Sequence, residues 1–210
     1  IPEAFYLHPA VDAITKAVYA GAWGRLHEED EGLGDLHQDY FSPFIRPARV
    51  SRQVEELKAH LKQGLYEFAR KFELHVLITE NALTIPINIP LGLAITEFIA
   101  ETGYPTIAHH HDFYWERQRF LTSSVQDYLA AAFPPNLPSI RHAVINTAQA
   151  RQLTARLGVP AAVVPNVMDF DNPPPDPGDY VDTLRADFGV AEGRLLILQP
   201  TRIIQRKGIE

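Results

Sequence analysis

The chain has no cysteine and a single methionine in 210 residues. Disulfide staples, thiolate metal sites and cysteine nucleophiles are therefore excluded. No apolar run reaches the roughly eighteen residues that a membrane-crossing helix needs, and no charged-then-apolar leader opens the sequence. A cytoplasmic protein without a membrane span is the expectation. Basic excess is missing too: 19 Lys and Arg stand against 26 Asp and Glu, a formal net charge of −7. Proteins that coat nucleic acid usually present a basic face, so nucleic acid is not an expected partner. Three glycine motifs are also absent: the Gly-x-x-x-x-Gly-Lys-Ser/Thr phosphate loop, the Gly-x-Gly-x-x-Gly dinucleotide fingerprint and the Gly-x-Ser-x-Gly nucleophile elbow. What is present is a 46% hydrophobic composition, enough for a sizeable core in one large domain or one and a fraction.

Residues 1–48 are the least readable, with a helix over Pro9 to Ala20 and then an acidic loop, "HEEDEGLGD". The clearest helix follows. Val50, Val54, Leu57, Leu61, Leu65, Phe68 and Phe72 recur at spacings of three and four, which places them on one stripe that must face a core. "ELHVLITE" then reads as a buried strand, and "NIPLGLAITEFIAETG" as a helix from Pro90 that closes at Gly103. "PTIAHHH" is a strand, "ERQRFLTSSVQDYLAAAF" a helix, "IRHAVIN" a strand, "TAQARQLTARLG" a helix closed by Gly158, and "AAVVPNV" a strand. Strands that alternate with helices predict an α/β fold with a doubly wound parallel sheet, because parallel strands need long crossovers. Beyond Asp169 the composition changes to the stiff, coreless "DFDNPPPDPGD". The expected organisation is a first domain over 1–171, a Pro-rich linker over 172–179, and the start of a second domain over 180–210, with helix "YVDTLRADFGV" and strand "RLLILQPT". A chain that starts at Ile1 and stops just after a strand and a basic turn reads as a segment of a longer protein.

In open parallel sheets, ligands bind beyond the carboxyl ends of the strands. Glu80 and Asn81, His109 to Asp112, Asn146 and Thr147, and Asn166 all fall at such ends. The densest is "HHHDFYW", which admits three readings: a metal site, imidazoles hydrogen-bonded into the fold, or a polar rim for a substrate. Alternate residues of a strand share a face, so His109 and His111 could share a ligand while His110 could not, and zinc would need a further ligand from elsewhere. The substrate reading is preferred and no metal is expected. A second feature is "QPTRIIQRKGIE", where Arg202 and Lys207 flank a turn at a helix start. A guanidinium, an ammonium and free backbone N–H groups suit a phosphate or diphosphate.

In order and spacing, "HHHD", "VVPNVMDFD", "LRADFGV" and "LILQPTRIIQRKGIE" resemble the retaining family-four glycosyltransferases of the two-domain GT-B fold. The stretch runs from about Glu73 to Glu210, with Thr201 and Val167 at positions where the family usually has Gly. The resemblance implies transfer of a hexose from a nucleoside diphosphate sugar to a sugar or other small hydroxyl acceptor, with retention of configuration. It implies no metal or other cofactor, since cations and helix dipoles would neutralise the leaving diphosphate. Arg202 and Lys207 would bind that diphosphate. His111 would lie beside the transferred sugar, with His110 as its substitute should the alignment slip by one. Asn81, Asp112, Trp115, Asn146 and Asn166 are the expected acceptor and cleft residues. The family's second-domain carboxylate motif would lie past Glu210, so the segment alone is expected to be inactive. A homo-oligomer is compatible with the sequence, as are two other functions: a non-catalytic sugar- or nucleotide-binding module, and a sugar-nucleotide epimerase of the same architecture.

Overall fold

The computed structural model describes residues 36–41, 45–169, 171–172, 179–191, 193–195 and 197. The chain divides into two units, Ile1–Asn166 and Val167–Glu210. In the first, helices α1 (Leu36–Phe41) and α2 (Ala48–Lys71) precede strand β1 (Leu77–Glu80). Helix α3 (Ile89–Thr102) leads to β2 (Thr106–His110), α4 (Gln126–Ala132) to β3 (Ile140–Val144), and α5 (Thr147–Leu157) to β4 (Ala161–Val163). The strands form one parallel sheet in the order β1-β2-β3-β4. This is an α/β, Rossmann-like arrangement, and it gathers all four carboxyl ends along one edge.

Local chemistry explains the helix boundaries. Pro90 near the start of α3 has no N–H to leave unpaired, and the Asn88 side chain caps the helix by accepting from Leu91 N at 3.0 Å. Gly103 ends it at φ 67°, a left-handed conformation that glycine adopts without a Cβ penalty. Gly158 closes α5 in the same way, also at φ 67°.

The core lies between the sheet and its helices. Ile95, Phe98 and Ile99 of α3 pack with Ala69 of α2, Ala108 of β2 and Ile140 of β3. Farther along, Val144 of β3 packs with Leu153 of α5, Phe113 and Val159. Strand alternation assigns the faces: Thr106, Ala108 and His110 are buried, while Ile107 on the opposite side is 40% exposed. Ile78 of β1 is 59% exposed as well. A helix layer over that second face, which a doubly wound sheet would carry, is not among the described residues.

Gly92 is needed for contact between helices. A Cβ there would stand 2.3 Å from Cζ of Phe133, a fully buried ring beyond α4. Overpacking of this kind typically costs about 1–3 kcal/mol. Gly92→Ala is therefore expected to lower the melting temperature despite alanine's better helix propensity, and an unchanged or raised melting temperature would contradict the packing.

Three expectations need correction. The strand in "ELHVLITE" is shorter and less buried than its apolar content predicts: it begins at Leu77, and of its four residues only Thr79 is buried. The apolar stripe of α2 does not stay inside along its full length; Val50, Val54 and Leu61 are buried, but Phe72 falls beyond the helix end. The helix read over "ERQRFLTSSVQDYLAAAF" is broken into 3₁₀ turns at Tyr114–Glu116 and Gln118–Phe120 and the short α4. Serine hydroxyls interrupt it: Ser123 Oγ accepts from Val125 N at 3.0 Å, and Ser124 Oγ donates to the Asp39 carbonyl at 2.8 Å.

In the second unit, α6 (Asp179–Asp187) is closed by Gly189 at φ 63°, with Gly189 N donating to the Ala186 carbonyl. Asp169 accepts from both the backbone and side-chain nitrogens of Asn172. Arg194, Leu195 and Ile197 carry no regular element, and the rest of "RLLILQPT" lies outside the described residues, as do the helix read over Pro9 to Ala20 and most of the Pro-rich stretch.

Candidate active site

The carboxyl ends of β1 and β2 are tied together by their register. Glu80 stands opposite His109 in the parallel pairing, and the chain then turns through Asn81 at φ 59°. Asparagine tolerates that left-handed conformation better than most side chains, and here its amide bridges the strand ends. Asn81 Oδ1 accepts from His111 N at 2.9 Å, and Asn81 Nδ2 donates to Asp112 Oδ1 at 3.2 Å. The backbone N of Asn81 also donates to the His109 carbonyl at 2.9 Å. On its other side, the His111 carbonyl accepts from Gln149 Nε2 of α5 at 2.8 Å. Both backbone polar groups of His111 are thus held by named partners on neighbouring elements.

The three imidazoles separate as alternation requires. His109 and His111 come to the same side, with ring centroids 4.8 Å apart, and both meet Glu80. Nδ1 of His109 and Nε2 of His111 each lie 3.0 Å from Glu80 Oε2. Partial burial pushes the Glu80 carboxyl up, but hydrogen bonds from His111 and His109 outweigh it and hold the group below the usual carboxylate range. The anion is therefore favoured.

His110 points the opposite way and is fully buried. Its Nδ1 lies 3.2 Å from Thr84 Oγ1 and its Nε2 2.8 Å from Nδ1 of His142 on β3. The other ring nitrogen of His142 bonds the Pro135 carbonyl. A neutral imidazole has one donor and one acceptor, so that carbonyl orients the pair: His142 donates to Pro135 and His110 Nε2–H donates to His142, which leaves His110 Nδ1 as an acceptor beside the Thr84 hydroxyl, a group also 3.2 Å from Asn81 Oδ1. Burial first, then the neighbouring His142, pushes His110 down to about 3; burial pushes His142 down to about 4. Both are neutral near pH 7. His110 supports the strand end from below and does not face solvent.

The remaining sequence-predicted residues divide between the site and its scaffold. Asp112 pairs with Arg117 as well as with Asn81. Trp115 stacks on the buried Phe113 ring at 4.4 Å and donates from Nε1 to Gln152 at 2.8 Å. Asn146 caps α5, its Oδ1 accepting from Gln149 N at 2.9 Å, and Asn166 is exposed at the end of the first unit. Arg202 and Lys207 lie outside the described residues. Sequence reasoning did not connect Glu80 with the histidines, nor Thr84, Arg117, His142 and Gln149 with the site. Glu80 carried a usable signal, its place at a strand end; the other four become visible only once strands are paired.

No protein-family model and no solved structure matches the chain. Two curated relatives do. A protein named mannosylglucosylglycerate synthase from Thermotoga maritima is 35% identical over 159 residues, which covers 75% of this chain and 36% of the relative. The protein of the same name from Petrotoga mobilis is 32% identical over 160 residues, 74% of this chain and 36% of its own. The chain thus spans about a third of the length of the curated relatives it matches.

Proposed function

We infer that the first unit carries the acceptor side of a glycosyl-transfer site, in a protein that moves a hexose from a nucleoside diphosphate sugar to an acceptor hydroxyl. The observation that carries this reading is the strand-end placement of His111: its backbone is fixed by Asn81 and Gln149 while its partly exposed imidazole meets Glu80. Similarity to two proteins named for the synthesis of a mannosylated glucosylglycerate supports the reaction class. By that similarity the acceptor is a glycerate glycoside and the transferred sugar mannose.

In this reading His111 hydrogen-bonds hydroxyls of the transferred sugar, which an imidazole can do in either protonation state. Asp112, already engaged by Arg117 and Asn81, positions the loop rather than acting as a free base. Arg202 and Lys207, carried over from the family resemblance, bind the donor diphosphate and neutralise the charge that develops as the nucleoside diphosphate leaves. Retention of configuration, the GT-B arrangement and the domain limits at 171 and 180 belong to the same proposal.

The test is product identity. Full-length protein is incubated with UDP-, GDP- and ADP-linked mannose and glucose, with glucosylglycerate, glycerate or a free hexose as acceptor, and products are followed by NMR. An α-linked mannoside formed from an α-linked donor is expected. An inverted linkage would overturn the retaining assignment. Stoichiometric donor binding without any product would replace the transferase with a binding module.

A further inference from the structure

Glu80, His109 and His111 present one carboxylate oxygen and two imidazole nitrogens that lie within 4.8 Å of one another. Three features of the fold bring them together. The parallel register sets Glu80 beside His109, the two-residue period puts His111 on the same side as His109, and the bonds from Asn81 and Gln149 fix the backbone that carries His111. We propose that Glu80 Oε2, His109 Nδ1 and His111 Nε2 form a binding site for one divalent first-row transition metal ion, with the remaining coordination positions open to a substrate oxygen.

The ligand set selects the class of ion. Two imidazoles and one carboxylate suit zinc, manganese, cobalt, nickel or iron(II), whereas magnesium and calcium favour all-oxygen shells. The distances suit an ion that replaces protons. Oε2 stands 3.0 Å from each nitrogen, close to the spacing of two ligands that share a metal at roughly 2.0–2.2 Å. Access comes from the solvent side, where the side chains of Glu80 and His111 are 59% and 39% exposed, while that of His109 is 17% exposed. Affinity is limited from the inside. Coordination at Nδ1 places the His109 proton on Nε2, which is buried with no partner among the described residues, whereas a tightly held ligand imidazole usually donates that proton to a neighbour. An affinity on the order of micromolar is therefore expected.

With one carboxylate and two neutral imidazoles, a bound divalent ion leaves a net charge of +1 at the strand ends. That charge would attract a carboxylate or polarise a hydroxyl in the open positions. From sequence no metal is expected at these histidines, because His109 and His111 lack a further ligand; the β1–β2 register supplies one in Glu80. Binding of the ion does not depend on the transferase reading.

The experiment uses chelator-stripped full-length protein, titrated with zinc and manganese by calorimetry and with cobalt by visible absorption. Parent protein, Glu80→Gln, His109→Gln and the surface control His60→Ala are compared. One ion per chain is expected in the parent and in His60→Ala, with affinity at least about a hundredfold weaker in Glu80→Gln and His109→Gln, and with nitrogen ligation visible in the cobalt spectrum. Absence of a stoichiometric ion in the parent would overturn the site. So would equal stoichiometry and affinity in all four proteins. The readout is ion binding, so its failure is distinguishable from a failure of glycosyl transfer.

Discussion

His111→Ala in the full-length protein is expected to lower kcat/KM for the acceptor on the order of a hundredfold, the scale of losing one positioned polar group in a reaction centre, while barely changing the melting temperature. The two halves of this expectation come from different parts of the geometry. The His111 backbone is held by Asn81 and Gln149, and these bonds do not involve its imidazole. The imidazole itself meets a largely exposed carboxylate, a contact worth little to stability in water. Truncation therefore removes chemistry and leaves the scaffold in place. Asn81→Ala should show the opposite balance, since it removes bonds to His111 N and Asp112 and leaves a left-handed backbone position without asparagine's tolerance for it. Steady-state kinetics beside thermal melts separate the two. Full activity in His111→Ala would remove this imidazole from the reaction.

The second large effect is acid sensitivity of the fold. Free imidazoles titrate near 6.5, whereas His110 and His142 in the folded chain are pushed down to about 3 and about 4. Below pH 6.5 the unfolded chain takes protons that the folded one refuses, so stability, complete above 6.5, falls as pH drops through this window. The loss stops growing only when the folded imidazoles themselves protonate. At pH 5 it amounts to about 2 kcal/mol for each histidine, about 4 kcal/mol for the pair. Urea unfolding at pH 7.5 and pH 5 measures it. His142→Gln keeps a donor for Pro135 and an acceptor for His110, so it should reduce the pH slope by about half. A slope that is the same in parent and variant would show that the buried pair does not set the acid limit.

Much of the fold was legible because its determinants are local. The α3 boundary follows from Asn88, Pro90 and Gly103, and the α5 boundary from Asn146 and Gly158. The alternation rule alone separates His110 from His109 and His111. Properties that depend on tertiary partners were less legible. Ile78 reads as a core residue, yet its face of the sheet is open among the described residues. Ser123 and Ser124 break a helical pattern because Asp39, far away in sequence, offers one of them a carbonyl. Within the site, Asn146 reads as a cleft residue by its position at a strand end, but the same position makes it a helix cap. Glu80 is visible in sequence as a strand-end carboxylate; that it serves two histidines depends on the β1–β2 register, a long-range pairing that local sequence patterns do not reveal.

Glycosyl transfer at these strand ends is tested most directly by the rate of nucleoside diphosphate release by full-length protein, measured with each donor in the presence and absence of acceptor, alongside Lys207→Ala and His111→Ala. Release is expected with one donor class, only when acceptor is present, abolished in Lys207→Ala and sharply reduced in His111→Ala. Release that is equally fast without acceptor, or that survives both substitutions, would contradict a transfer site built on these strand ends.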